Sequence, residues 1–118
     1  AETIAGTASK IVDPAKLLAL FGTSDRSIDG YARLPVKVGG AFVEIIVQWG
    51  SGTSNNVITF PIAFTTAAYN VQITQNQVGN VSIYGYSGLT TTQFTSQAWT
   101  EAGFSVTGRS FNWVAIGY

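Results

Sequence analysis

The sequence predicts an all-β fold, a small antiparallel β-sandwich preceded by a connector with one short helix. Three observations predict it. From Phe42 to Tyr118 the apolar residues recur at every second position, which is the period of a half-buried strand. The segments that carry this period are rich in Val, Ile, Thr and aromatic residues and are separated by Gly, Asn and Ser clusters. A chain of 118 residues, 46% hydrophobic and without Cys, is sized for one core held by packing alone.

Residues 1–40 read as the connector and 41–118 as the sandwich. Asp13-Pro14, followed by Ala15 to Phe21 and closed by Gly22, has an N-cap acceptor, a Pro in the first turn and a Gly stop, and predicts a helix over about 14–21. Such a short helix is marginal alone, so Leu17, Leu18, Leu20 and Phe21 need a surface to dock on. Residues 22–40, with Asp29-Gly30, Pro35 and Gly39-Gly40, read as loop with one short strand. In the first sandwich strand Val43, Ile45, Val47 and Trp49 share one face and Phe42, Glu44, Ile46 and Gln48 the other. Gly50 to Asn56 is a loop. Ile58, Phe60, Ile62 and Phe64 then alternate with Thr59, Pro61 and Ala63, and Pro61, lacking an N–H, puts this segment at an edge or a bulge. Tyr69, Val71 and Ile73 mark the next strand. Gly79-Asn80 predicts a hairpin turn into Val81, Ile83 and Gly85, with Ser82, Tyr84 and Tyr86 on the opposite face. A Thr-rich strand follows Ser87-Gly88 and runs through Phe94, another carries Phe104 and Val106, and the last runs from Phe111 to Tyr118. Both faces of that last strand are apolar, so it is expected to be central or to meet another chain.

Charge and missing residue types exclude whole chemistries. Six basic and six acidic side chains cancel, so the chain lacks the excess positive charge that drives nucleic-acid binding by counterion release. With no His and no Cys, Ser-His-Asp and Cys-His nucleophiles and soft-ligand metal sites are out; oxygen-only cation binding by Asp25 and Asp29 stays open. No apolar run approaches the roughly 20 residues of a membrane-spanning helix. Ten of the charged residues fall within positions 1–44, and only Glu101 and Arg109 follow. A glycosidase needs two facing carboxylates, whereas the sandwich has only Glu44 and Glu101, and a Glu44–Arg109 salt bridge accounts for two of its rare charges equally well. No enzyme activity and no cofactor are expected. A near-neutral, charge-poor surface favours association, so a stable oligomer is expected. The start at Ala1 without a Met points to a processed product or a piece of something longer.

Four segments carry a family resemblance: Gly30-Tyr31-Ala32-Arg33-Leu34-Pro35, Ile45-Ile46-Val47-Gln48-Trp49-Gly50, Ile58-Thr59-Phe60-Pro61-Ile62-Ala63-Phe64, and the ending Phe111-Asn112-Trp113-Val114-Ala115-Ile116-Gly117-Tyr118. In that order they resemble the C-terminal domain family of bacteriophage tail-fibre proteins, over roughly residues 30–118, while residues 39–44 depart from the family's lead-in. The resemblance implies an H-type-lectin-like β-sandwich, assembled as a homotrimer at the distal tip of a fibre, where it contacts the host surface. It also implies a fibre-assembly chaperone as a partner.

On that footing the residues divide into two candidate sets. Tyr84, Tyr86 and above all Trp99 are rings with a polar handle in or near a Thr/Ser/Gln-rich stretch, where they can stack on a sugar face or pack internally. Asn80, Gln93 and Gln97 offer the paired donors and acceptors that hydroxyls need. The expected ligand is a bacterial surface polysaccharide or lipopolysaccharide. For the trimer interface, Leu17, Leu20 and Phe21 of the helix and Phe42, Ile46, Val114, Ile116 and Tyr118 of the first and last strands are the apolar groups left over. A purely structural trimerising cap and a polysaccharide depolymerase are the competing readings.

Overall fold

The computed structural model describes residue 14 and residues 23–79 and 81–118. Leu17, Leu20, Phe21 and Asn80, and the predicted 14–21 helix apart from Pro14, lie outside the described residues. Seven strands follow in order: β1 Gly30–Val38, β2 Ala41–Thr53, β3 Val57–Thr59, β4 Ala68–Gln75, β5 Ile83–Ser87, β6 Gln93–Trp99 and β7 Ser110–Gly117. They form a four-stranded sheet in the order β1-β2-β7-β4 and a three-stranded sheet in the order β3-β6-β5, with every pairing antiparallel. The all-β sandwich is as expected.

Several local expectations change. Strand β2 runs on through residues 50–53, where a loop is expected, β6 continues past Phe94 to Trp99, and no strand forms at Phe104 and Val106. The sheet starts at Gly30 rather than at Phe42, because residues 30–38 pair along their whole length with β2 across a Gly39-Gly40 turn, in which both glycines take positive φ. Arg33, Pro35 and Lys37 hid this strand from the apolar count, yet charges and Pro are what an edge strand carries. No hairpin joins β4 to β5: β4 is in the four-stranded sheet and β5 in the three-stranded one, so the chain passes between layers from one to the other. Strand β3 stops at Thr59, after which Phe60 and Phe64 drop into the core while their N–H groups bond the carbonyls of Thr92 and Thr91 at 2.9 and 2.8 Å. Strand β7 is central, between β2 and β4, as its doubly apolar pattern predicts.

The core lies between the sheets and consists of Ile46, Phe60, Phe64, Val71, Phe94, Phe111, Trp113 and Ala115. Phe60 sits at the centre of the aromatic group, with ring centroids 5.0 Å from Phe64 and 5.6 Å from both Phe94 and Trp113, largely edge-to-face. Each such ring contributes roughly 1.5–3 kcal/mol by burial. Two glycines allow the layers to close. A Cβ at Gly50 would meet the Trp113 ring at 2.7 Å, and one at Gly117 would meet Phe64 at the same distance and collide with the Ala67 carbonyl.

Three buried polar side chains fasten loops to this core. Gln48, fully buried, donates from Nε2 to the Ile62 carbonyl at 2.8 Å and accepts the Ile62 N–H on Oε1 at 2.9 Å. The Ser54 hydroxyl donates to the Val106 carbonyl and accepts the Arg109 N–H, and Ser96 Oγ bridges to the carbonyls of Thr53 and Asn56 at 2.9 and 3.0 Å. Buried polar groups must be paired in this way, because each one left open costs about 1–3 kcal/mol.

Candidate functional site

Strand β6 alternates strictly: Phe94, Ser96 and Ala98 point inward and are buried, while Gln93, Thr95, Gln97 and Trp99 form a partly exposed row on the outside. Its register adds Val57 and Thr59 from β3 and Ile83, Gly85 and Ser87 from β5 to the same outer face. The Trp99 ring lies across Gly85, where an added Cβ would stand 3.4 Å from the indole. The side chains of Gln93, Thr95, Gln97 and Trp99 bond to no other described residue. No acidic or basic residue occurs in β3, β5 or β6. Of the sequence-predicted ligand residues, the structure therefore brings Trp99, Gln97 and Gln93 together on one face and adds Thr95 and Gly85, which sequence reasoning missed. The signal was present in the i, i+2 spacing of 93, 95, 97 and 99.

Tyr84 and Tyr86 are removed from that set. They are on the inward side of β5, packed against the core: the Tyr84 hydroxyl donates to the Ser110 carbonyl and that of Tyr86 to Asn70 Oδ1, both at 3.1 Å, and their rings stand edge-on to Phe111 and Phe94. The reason is strand parity. With Gly85 between them turned outward beneath Trp99, both tyrosines must face in.

The outer face of the four-stranded sheet is different in character. Val47 pairs with Ile116 and Trp49 with Val114, and on the other side Leu34 pairs with Ile45 and Val36 with Val43. This places Leu34, Val36, Val43, Ile45, Val47, Val114 and Ile116 on one surface, where Leu34, Val43, Val114 and Ile116 are each 42–47% exposed. Beyond β7 the surface turns polar, with Asn70, Gln72 and Thr74 of β4. Trp49 at the upper end is capped by the 23–30 segment, its indole N–H donating to the Ser27 carbonyl at 3.0 Å.

Val114 and Ile116 thus have the outward placement expected of them, whereas Ile46 does not. It is 1% exposed, faces Trp113 and Ala115 in the core, and has no surface to offer a partner. The pairing with β7 decides this: Ile46 lies opposite Gly117, an inward position, so the outward residues of β2 are the odd-numbered ones, Val43, Ile45 and Val47. Phe42 shares the parity of Ile46 and stands apart from the Val114–Ile116 surface, 60% exposed near the hairpin turn. Tyr118 stacks with Tyr69 at a centroid distance of 5.3 Å. Desolvation, and then the neighbouring Tyr118 hydroxyl, hold the Tyr69 phenol above its ordinary value.

The few charges build loops. Asp25 Oδ1 accepts both the hydroxyl and the N–H of Ser27, which hold its carboxyl below the usual value, and Asp29 Oδ1 accepts the Ser51 N–H. Glu44 pairs with Arg33 at 3.9 Å, not with Arg109. Both side chains are about a third exposed and the contact is long, so the pair contributes little, on the order of 0–1 kcal/mol. Glu44 is near the β1–β2 turn and Glu101 in the turn after β6, at opposite ends of the sandwich. Among the described residues no cluster of three or more metal-ligating side chains forms, and no helix is long and apolar enough to cross a membrane. Asn55, with φ of 60°, donates to the hydroxyls of Ser105 and Thr107 and ties two loops together.

Known proteins share this fold. Residues 44–118 match the model of a family of tail-fibre proteins, gp53-like, C-terminal. The uncharacterized protein StfP of Escherichia coli (strain K12) is 33% identical over 113 residues, a match covering 88% of this chain and 51% of that protein, so the chain spans about half the length of this relative. An N-truncated R2-type pyocin tail fibre superposes with a TM-score of 0.62 and 25% identity over 81% of this chain and 37% of the fibre fragment. A P. aeruginosa R1 pyocin fibre superposes with a TM-score of 0.61 and 23% identity over 81% of this chain and 28% of its own, a likeness of fold. With β7 and the motif-bearing part of β2 inside the matched region, the chain belongs to the gp53-like family of tail-fibre C-terminal domains.

Proposed function

We propose that the chain is the host-binding tip of a phage or pyocin-like tail fibre, working as a homotrimer that adheres to a glycan such as lipopolysaccharide on the bacterial surface. One observation carries the reading: the two outer faces of the sandwich differ in chemistry. The β1-β2-β7 face is a continuous aliphatic surface, of the kind that marks an interface between chains, whereas the β3-β6-β5 face carries along β6 an uncharged row of amides and a hydroxyl ending in an indole, flanked by Val57 and Ile83. Family membership and the pyocin-fibre fold support a place in a fibre. Around a threefold axis the aliphatic faces meet one another and the three polar faces look outward, so weak sugar sites gain by repetition.

Light scattering on the purified chain is expected to return three times the single-chain mass, and the trimer is expected to block adsorption of the parent particle to its host. A trimer that leaves adsorption unchanged would favour the competing reading, a cap that only registers three fibre chains.

A further inference from the structure

We infer that the outer face of β5 and β6 is a subsite for a neutral sugar, stacked on Trp99 over Gly85 and hydrogen-bonded by the amides of Gln97 and Gln93. The inference rests on the host-binding reading and specifies its ligand chemistry.

Of the aromatic side chains on the three-stranded sheet, Tyr84, Tyr86 and Phe94 are packed against the core, and only Trp99 lies outside it. Its seat is Gly85, where even an added Cβ would stand in ordinary van der Waals contact with the ring at 3.4 Å, so the indole lies close over the strand. A partly exposed indole beside a glycine backbone offers ring surface to the C–H side of a pyranose, a contact that needs no charge. Along β6 the next outward positions are Gln97, Thr95 and Gln93, successive rungs roughly 7 Å apart. Their side chains are not engaged by other described residues, and each amide presents a donor pair and an acceptor, the match for vicinal hydroxyls. The row is held in place from behind: β6 is the middle strand of its sheet, and the inward Ser96 hydroxyl fixes it to Thr53 and Asn56. A preformed platform loses little entropy on binding.

Charge selects the class of sugar. With no acidic or basic residue in β3, β5 or β6, a uronate or phosphate laid on this face would lose water without gaining a counter-charge. A neutral oligosaccharide incurs no such penalty.

The experiment uses the full chain as the trimer, in two assays: adsorption to host cells, and binding to an array carrying neutral hexose oligosaccharides beside uronate- and phosphate-bearing ones. Wild type is expected to bind cells and neutral probes, with less than about a twofold change between low salt and about 1 M NaCl, where Coulomb attraction is screened within a few ångströms. Trp99→Ala is expected to lose about tenfold or more in both assays with unchanged mass and circular dichroism, whereas Trp99→Phe, which keeps a stacking face, retains most of the binding. Gln97→Ala provides a second variant, at a partly exposed position. Binding confined to acidic probes, adsorption that collapses in salt, or a folded Trp99→Ala and Gln97→Ala pair that adsorbs like wild type would each overturn the subsite while leaving host binding in place. A wild-type trimer that binds neither cells nor glycans would overturn both.

Discussion

Gln48 and Ile62 are joined by a matched pair of hydrogen bonds, side chain to backbone, at 2.8 and 2.9 Å inside the sandwich. The Gln48 amide thereby does for the Ile62 peptide what a neighbouring strand would do, and it does so in a segment where strand pairing has ended at Thr59. The two family motifs around Gln48 and Ile62 are halves of this one unit. Replacing Gln48 by Leu preserves bulk but strands the Ile62 N–H and C=O. At about 1–3 kcal/mol per open group, less what the added apolar burial returns, the variant is expected to lose about 2–4 kcal/mol in urea unfolding. A loss below about 0.5 kcal/mol would show that the pair contributes nothing net.

Neighbouring residues of β2 should respond in opposite ways to the same change. Ile45 stands on the outer aliphatic face beside Leu34, whereas Ile46 is sealed in the core. Ile45→Asp is expected to keep the β-sheet circular dichroism and to run in light scattering at the single-chain mass of 12.5 kDa, because a carboxylate at the centre of an apolar contact cannot be desolvated cheaply. Ile46→Asp is expected not to fold, whatever its concentration. A trimer that persists in Ile45→Asp would move the interface to another surface.

The contrast shows which parts of the structure were legible in the sequence. Strict alternation over 42–49 and 111–118 was enough to find β2 and β7 and to divide each into two faces. Alternation is blind to which face turns inward, however, and only the pairing of Ile46 with Gly117 decides it. Strand β1 was obscured because Arg33, Pro35 and Lys37 obey the needs of an edge instead of those of a core. In the candidate site, Gln93, Gln97 and Trp99 were singled out in the sequence by residue type, but not their shared face, since the expected strand ended at Phe94 and β6 runs on to Trp99; the inward turn of Tyr84 and Tyr86 depends on β5 crossing to the other sheet, a long-range event with no local mark. The contribution of Gln48 was likewise hidden, since its partner is a backbone 14 residues away.

Gly117 tests how tightly the end of the chain is fitted. A Cβ there would press on the Phe64 ring at 2.7 Å and on the Ala67 carbonyl, which itself accepts the Tyr118 N–H at 2.9 Å. Backbone cannot move aside as a flexible side chain can. Gly117→Ala is therefore expected to cost about 1–3 kcal/mol and to free the Tyr118 amide for hydrogen exchange. A variant of unchanged melting temperature and unchanged exchange would mean that β7 slides to accommodate the methyl group.

Asp25 provides a pH test of the loop that caps Trp49. Its carboxylate accepts the Ser27 hydroxyl at 2.6 Å and the Ser27 N–H at 2.9 Å, so its pKa in the folded chain is below the ordinary 3.8. Between those two values the unfolded chain binds the extra proton and the folded chain does not. The stabilisation is therefore complete above 3.8 and is lost as pH falls through the folded value. Because Asp25 is fully exposed, the effect belongs to the turn and not to global stability. It should appear in an NMR titration as a depressed Asp25 carboxyl midpoint, followed at lower pH by a shift of the Trp49 indole N–H, which donates to the Ser27 carbonyl at 3.0 Å. Ser27→Ala removes the leading cause and should raise the Asp25 midpoint toward 3.8. If that midpoint stays where it was, the hydroxyl is not what holds the carboxylate, and the Ser27 N–H carries the effect instead.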